Sequence, residues 1–417
     1  MRTLIASLLV VCASNAIAQD FLIRGATVHT ATSKGTLTDT DVRIRDGKIQ
    51  SVGSGLAAGD GAVIIDAKGR ALTAGMFAGL STIGVQEVSQ EETTNDASLG
   101  LGAPAYEMQW RPEFDVSTAY NSRSVIVPVT RIEGMTWTVL TPGTAESGNF
   151  LAGQGAAVTL DGRRDAVIDG SRSLFINLGG QMNSHSGGSR AAQWMLLEQA
   201  VHETRNRVTD EKALMHPLGR EVFGRYLSGG RVIFNVDRAG DIVKTIAFAK
   251  RYGIKPVIAG GAEAWVVADE LAEAKVPVIL DPLTNLPNTF DQIGARLDNA
   301  ALLHKAGVKI TFTQFEDSHN ARKVRQTAGN AVAHGMPKEA AITALTADAA
   351  DIFGLGATRG RIAPGQTADL VLWSGDPLDV TSLADHVWIA GEAVEMRSRQ
   401  LELRDRYFQR LKQSTAN

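Results

Sequence analysis

The sequence predicts an α/β protein: a (β/α)8 TIM-like barrel with a small β-sandwich domain built from both chain ends. Three observations carry this prediction. Strand and helix patterns alternate through residues 74–353, short strand-like segments stand at both ends, and the composition is that of a globular protein. The chain has 417 residues, 44% hydrophobic and 21% charged, which is enough apolar side chain for a large core.

The first eighteen residues have the features of a secretory signal peptide. Arg2 precedes an apolar run over residues 4–11, and Ala16-Ile17-Ala18 matches the small-residue pattern of a cleavage site. We therefore expect a mature chain that begins at Gln19 and is exported, most simply to the periplasm. Cys12 is the sole cysteine. The mature chain would then contain no disulfide and no thiolate metal site.

The β domain is predicted from short, partly alternating apolar segments near both termini. Asp46-Gly47 is a strong hairpin dipeptide within the first group. At the N-terminal end the predicted strand segments are 21–28, 42–49 with the Asp46-Gly47 turn inside it, and 62–66. At the C-terminal end they are 368–373 and 386–391. Each group is too small to bury a core alone, so residues 19–73 and 354–396 are expected to share one domain. Residues 397–417 are predicted as a C-terminal helix or tail.

The middle of the chain alternates apolar runs with segments that have helical spacing. The clearest strands are 174–178, 231–236, 256–259, 276–280 and 308–313, and the clearest helices are 241–252, 263–274, 294–306 and 321–334. Such alternation favours parallel strands covered by helices, and its length favours a closed barrel over an open sheet. Glycine-rich nucleotide-binding motifs do not occur in the sequence.

Charge and hydropathy limit the classes of partner. Lys and Arg number 42 against 45 Asp and Glu, a net charge of −3, which excludes a broad cationic platform for nucleic acid. The apolar run near the N-terminus is far shorter than the ~20 residues of a transmembrane helix. A small-molecule ligand is the class of partner that agrees with this charge balance, and the sequence does not decide whether the protein forms a homo-oligomer.

The segment 344–377 has a specific motif pattern. It contains Thr346, the run Gly360-Arg361-Ile362-Ala363-Pro364-Gly365-Gln366-Thr367-Ala368-Asp369-Leu370-Val371, and then Gly375-Asp376-Pro377. This pattern resembles the amidohydrolase superfamily, especially its imidazolonepropionase-like branch, and the resemblance extends over nearly the whole mature chain. It implies hydrolysis of C–N bonds in amides, cyclic amides or peptide-like small molecules, with one or two divalent metals such as zinc at the C-terminal mouth of a barrel.

The metal-ligand motifs of that family are degenerate here. The family places a His-x-His pair after the first strand, histidines after the fifth and sixth, and an aspartate after the eighth. The corresponding positions hold Leu80, Thr82, Asn235, Gly260 and Phe315, although a small gap would bring Glu316 or Asp317 to the aspartate position instead of Phe315. The eight histidines include no closely spaced pair. The sequence therefore predicts no metal site and no cofactor of the family type.

Polar residues after the eighth and fifth predicted strands are the candidate functional groups, because barrel sites lie at the carboxyl ends of strands. His319 is a candidate catalytic base with Asp317 orienting it. Alternatively, Asp317 or Ser318 caps the helix that follows from Ala321.

Three further residues are candidate ligand-binding groups. Asn235 is placed to hydrogen-bond a ligand amide, and Asp237 either joins it or forms an ion pair with Arg238. Glu263 either binds the ligand or begins the helix after the sixth strand, where a carboxylate suits the helix dipole.

Two functions therefore remain open. The first is an exported hydrolase of the amidohydrolase type, which would need an unusual metal site or metal-free acid–base chemistry. The second is a catalytically degenerate barrel that binds a ligand or partner without metal. Because a fold does not determine a function, the residues of the site must decide between them.

Overall fold

A computed structural model describes residues 20–100, 109–143, 150–284, 286–315 and 318–415. Within these ranges the fold is mixed α/β. The predicted signal peptide and Asp317 lie outside the described residues. Within the described part, no helix is both long and apolar enough to cross a bilayer.

The strands and helices have the following bounds. The strands are β1 Phe21–His29, β2 Thr36–Arg45, β3 Lys48–Gly53, β4 Val63–Asp66, β5 Ala71–Ala74, β6 Met76–Ser81, β7 Met135–Leu140, β8 Leu151–Gly155, β9 Ala157–Thr159, β10 Ser173–Asn177, β11 Arg231–Val236, β12 Lys255–Gly260, β13 Val278–Leu280, β14 Ile310–Phe312, β15 Leu370–Trp373, β16 Ala384–Ile389 and β17 Glu392–Ala393. The α-helices are α1 Ile126–Arg131, α2 Arg190–Arg205, α3 Pro217–Tyr226, α4 Ala239–Tyr252, α5 Ala268–Glu273, α6 Asn299–Lys305, α7 Val324–Ala333, α8 Lys338–Thr343, α9 Ala349–Ile352 and α10 Arg399–Thr415.

One sheet contains strands from both chain ends. Its order is β17-β16-β15-β5-β1-β2-β3, and β4 also pairs with β1. The two ends join where β15 runs antiparallel to β5, with Val371 opposite Thr73. Ile23, Leu72 and Leu370 are fully buried in its core. The separate sandwich domain remains a prediction.

The predicted Asp46-Gly47 hairpin is confirmed. These two residues connect β2 to β3, with Arg45 opposite Lys48. Both have positive φ, 49° at Asp46 and 73° at Gly47, as the central residues of a type I′ turn require. Asparagine, aspartate and glycine tolerate this left-handed conformation better than other residues do.

The central strands are parallel, as predicted. Strands β10 to β14 pair in chain order, each parallel to the next, and β8 pairs antiparallel with β10. A second sheet has the order β6-β7-β9. Leu80 N donates to Thr313 Oγ1 over 2.9 Å, which links β6 of the second sheet to the residue that follows β14. Leu140 N donates to Ala156 O over 2.9 Å, and Ala156 lies between β8 and β9. The carboxyl ends of the parallel strands therefore face one side of the molecule.

Three predicted helices differ from those in the structure. The predicted helix 263–274 begins as a 3-10 turn over Ala264–Val267 and is α-helical over Ala268–Glu273. The predicted helix 294–306 is helical only as α6, Asn299–Lys305. Gly294 instead donates its N–H to Glu263 Oε1 and accepts from Trp265 Nε1 at its carbonyl. The predicted helix 321–334 begins as a 3-10 turn over Ser318–Lys323 and becomes α-helical at Val324.

Arg325 connects α7 to the segment that follows β15. Its side chain is almost fully buried. The guanidinium donates to the carbonyls of Pro377, Asp379 and Ser382. It also lies over the ring of Trp373, 5.0 Å from the centroid. One cation thus satisfies three backbone acceptors in the segment between β15 and β16.

Candidate functional site

Two cavities open at the carboxyl ends of the parallel strands. The inner cavity has a volume of about 180 Å³, and its wall includes Leu80, Thr82, Asn235 and Phe315. The outer cavity has a volume of about 420 Å³, and Gly260 lies in its wall together with Asn235 and Phe315. The five positions to which the resemblance assigns metal ligands therefore surround one connected site.

The side chains at these positions do not fit the metal of the family. Leucine, phenylalanine and glycine supply no ligand. The Thr82 hydroxyl donates to Gln86 Oε1 over 2.9 Å and lies 2.5 Å from Ser318 Oγ. Among the described residues, no three His, Cys, Asp or Glu side chains come together in a group that could hold a metal ion.

Asp237 occupies the space in which a side chain at position 260 would project. Gly260 has φ +89°, and a Cβ built there would lie 2.6 Å from Asp237 Oδ1. The carboxylate is held by Ala262 N, 3.1 Å from Oδ1, and by Gln292 Nε2, 2.9 Å from Oδ2. The ion pair that sequence reasoning considered, between Asp237 and Arg238, is not formed between these two described residues.

The electrostatic state of Asp237 follows from its burial. Desolvation raises the pKa of this carboxyl above its ordinary value, while the hydrogen bonds from Gln292 and Ala262 act in the opposite direction. Asp291 and Glu263 nearby add a smaller upward effect. The wall of the outer cavity thus carries an acid whose charged form is less favoured than in water.

Two amide side chains face the site. Asn235, at the end of β11, is exposed and lines both cavities. Gln314, directly after β14, also lines both, and its Oε1 is buried without a hydrogen-bond partner in the described part. Carboxamides donate and accept hydrogen bonds, so this pair complements another amide. Gln314 was missed from sequence, although its place at a strand end was the same signal that selected Asn235.

The connection from β13 to α6 (residues 281–298) is anchored by polar contacts. Asp291 forms an ion pair with Arg190 of α2 and accepts from Gly180 N over 2.7 Å. Its neighbour Gln292 donates to Asp237. Sequence reasoning missed Asp291 and Gln292, because this segment has no periodic pattern.

Glu263 has a structural role in the same region. Its Oε2 accepts from Ala239 N, the first residue of α4, over 3.0 Å, and its Oε1 accepts from Gly294 N over 3.2 Å. The carboxylate therefore supports the start of α4 rather than a helix of its own. It also lines a third cavity, beside the connection. Its predicted ligand-binding role remains a prediction.

The cluster after β14 is only partly described. His319 is exposed on the 3-10 turn and does not line the inner or outer cavity. The expectation that Ser318 caps the following helix is wrong, because its hydroxyl accepts from Thr82 N over 2.7 Å and α7 begins without a side-chain cap. Asp317 lies outside the described residues, so its predicted pairing with His319 stays a prediction.

Comparison with known proteins identifies relatives of this chain. A family model described as "Amidohydrolase family" matches residues 295–395. The amidohydrolase tasK of Hapsidospora irregularis is 34% identical over 92 residues, 22% of this chain. The chain spans about 9% of the length of that relative.

Solved structures match over most of the chain. A crystal structure of an amidohydrolase from Thermotoga maritima MSB8 has a TM-score of 0.78 and 25% identity, and the match covers 90% of this chain and 100% of that one. An adenosine deaminase from Xanthomonas campestris with bound zinc has a TM-score of 0.51 and 15% identity over 91% and 94% of the two chains, which shows a shared fold alone.

The family model, the curated relative and the Thermotoga maritima structure all point to the same family as the motifs in residues 344–377. This similarity supports hydrolase chemistry, and the matched family usually binds a divalent metal. Residues 295–395 are thus similar to the amidohydrolase family, and the chain as a whole is similar to the Thermotoga maritima amidohydrolase.

Proposed function

We propose that this protein binds a small amide or peptide-like molecule at the carboxyl ends of a closed barrel, without the metal-dependent hydrolysis typical of amidohydrolases. The observation that carries the proposal is the position of Asp237, whose carboxylate fills the space of a side chain at position 260. The link between Leu80 of β6 and Thr313 after β14 supports the closed barrel.

The chemistry of the two cavities favours an amide ligand. A buried acceptor without a partner destabilises a protein by about 1–3 kcal/mol, and Gln314 Oε1 is such an acceptor within the described part. A ligand N–H would satisfy it once the Gln314 side chain turned toward the cavity, and the exposed Asn235 carboxamide is available for the ligand carbonyl. Binding would thus complete hydrogen bonds that the described protein side chains leave unmade.

Hydrolysis of a carbon–nitrogen bond is the second candidate function, and the similarity to amidohydrolases favours it. It would use acid–base groups of the protein, for which His319 with Asp317 is the pair proposed from sequence. His319 is exposed and therefore accessible to a substrate that extends out of the mouth. The two candidates differ in whether a bound amide is turned over.

Metal content and ligand binding test the proposal together. We expect the dialysed protein to contain less than one equivalent of zinc, manganese or iron by elemental analysis. Asn235→Ala should weaken calorimetric binding of N-acetylglycinamide by about tenfold, the loss of one hydrogen bond, without a change in melting temperature. The matched control is Asn206→Ala, an exposed asparagine after α2, which should leave binding unchanged.

Two results would contradict this proposal. A stoichiometric metal bound at the carboxyl ends of the strands would show that other side chains supply the ligands that are missing at the usual positions. Release of amine from N-acetylglycinamide, lost in His319→Ala, would establish the hydrolase instead.

We also propose that the chain is exported after cleavage between Ala18 and Gln19. Arg2, the apolar run over residues 4–11 and Ala16-Ile17-Ala18 support it. The intact mass of protein recovered from the periplasm of an expressing bacterium should correspond to a chain that starts at Gln19. A mass that retains Met1–Ala18 would show the proposal to be wrong.

A further inference from the structure

We propose that the ligand carries an apolar chain beside its amide group, and that this chain packs on an apolar rim around the outer cavity. The rim consists of Leu283, Leu286, Phe290 and Ile293 in the connection 281–298, together with Phe315 after β14. The inference rests on the proposed function, because it concerns the part of the same ligand that extends beyond its amide group.

The rim is unusual for its exposure. The side chains of Leu286, Phe290 and Ile293 are 73%, 90% and 63% exposed, and those of Leu283 and Phe315 are 43% and 47% exposed. Single exposed apolar residues are common on protein surfaces, whereas several that cluster beside a cavity indicate a binding surface. Burial of these side chains against an apolar group would be favourable.

The rim is continuous with the amide-lined cavity. Leu283, Leu286 and Phe315 line the outer cavity, whose wall also contains Asn235 and Gln314. Phe290 and Ile293 line the third cavity, of about 750 Å³. Asn288 lies in the walls of both, so the two cavities meet at this residue. A ligand with its amide at Asn235 and Gln314 would extend its remaining atoms toward the rim.

The backbone beneath the rim is held in place by the polar contacts described above. Asp291 is anchored to Arg190 and Gly180, Gln292 to Asp237, and Gly294 to Glu263. Phe290 and Ile293, which flank these anchors, are therefore exposed on a backbone that is held by contacts with other elements. A preformed surface of this kind loses little conformational entropy when a ligand binds.

The occupant is a ligand chain rather than a second copy of the protein because the rim forms part of concave walls. Small-molecule sites in proteins typically have volumes of about 300–1,000 Å³. The outer cavity, at about 420 Å³, falls in this range, and its wall contains both apolar and amide side chains. An amphipathic amide, such as an N-acyl amino acid amide, fits both kinds of wall.

A homologous series of amides tests the inference. The probes are N-acetyl-, N-butyryl-, N-hexanoyl- and N-octanoylglycinamide, measured by calorimetry with the full chain. We expect Kd to fall about fourfold for each added methylene, the equivalent of ~0.8 kcal/mol, until the acyl chain passes the rim. In Leu286→Ser/Phe290→Ser the N-octanoyl probe should lose at least about tenfold more affinity than the N-acetyl probe.

A matched variant separates this effect from general surface hydrophobicity. Val380→Ser/Leu383→Ser removes two side chains that are 61% and 64% exposed but do not line these cavities, and it should leave the series unchanged. Light scattering on each variant reports the oligomeric state.

The outcomes distinguish the two proposals. If the N-acetyl probe binds but affinity does not rise with chain length, or rises equally in the rim variant, the apolar rim is not a ligand site and the proposed function stands. If no probe binds, both proposals fail. If the rim variant converts a dimer to a monomer and the series is unaffected, the rim is a contact between copies and the inference is overturned.

Discussion

Gly260→Ala should lower the free energy of unfolding by about 2–5 kcal/mol. The left-handed conformation of this residue, φ +89°, costs an L-residue about 1–2 kcal/mol. The new Cβ would also lie 2.6 Å from Asp237 Oδ1 and 3.3 Å from Asn235 Oδ1, and overpacking of this kind costs about 1–3 kcal/mol. Urea denaturation of the variant and the parent protein measures the difference.

The control for this prediction is Gly240→Ala. Gly240 lies in the first turn of α4, and a Cβ there meets no atom within 4 Å. Alanine in a helix is about 0.5–1 kcal/mol more stable than glycine, so this variant should be slightly stabilised. An unchanged denaturation midpoint in Gly260→Ala would mean that the site has room at position 260. Because a side chain at position 260 would clash with Asp237 Oδ1, we also expect that Gly260→His alone does not create a metal site.

Arg325→Met should lower the free energy of unfolding by about 3–5 kcal/mol, because three backbone carbonyls lose their donor and each buried acceptor left unsatisfied costs about 1–3 kcal/mol. The carbonyls of Pro377, Asp379 and Ser382 would lose their donor, and each unsatisfied buried acceptor is unfavourable. Methionine keeps much of the apolar volume, so the loss reports the hydrogen bonds and the stacking on Trp373 rather than a cavity. Thermal and urea unfolding both give the measurement.

Arg225→Met is the matched control for the second prediction. Arg225 is exposed on α3 and pairs with Glu221 one turn away, a surface ion pair worth about 0.3–0.5 kcal/mol. A loss of less than about 1 kcal/mol in Arg325→Met would contradict the expectation and imply that water replaces the guanidinium at these carbonyls.

Several elements follow from local sequence signals. The strand 231–236 and the Asp46-Gly47 turn were predicted at the positions that the structure shows, because β-branched runs and left-handed turn residues act over a few neighbours. Four of the positions that the resemblance aligns with metal ligands, Leu80, Thr82, Asn235 and Phe315, line one cavity, and their assignment as ligand positions stays a prediction. Strand ends can be counted along a chain, and parallel strands bring those ends to one side.

The sequence by itself thus indicated the resemblance to amidohydrolases and the parallel strands, both of which depend on residue identity and local pattern. The absence of a metal site stays a prediction, and only the tertiary structure showed which side chains surround the usual ligand positions. Asp237 fills the space beside Gly260 because Ala262 and Gln292, distant in sequence, donate to it. The connection that carries Gln292 and the apolar rim has no periodicity, and Glu263 and Arg190 hold it in place. Contacts between residues far apart in the chain arise from packing of complete elements, which no local pattern encodes.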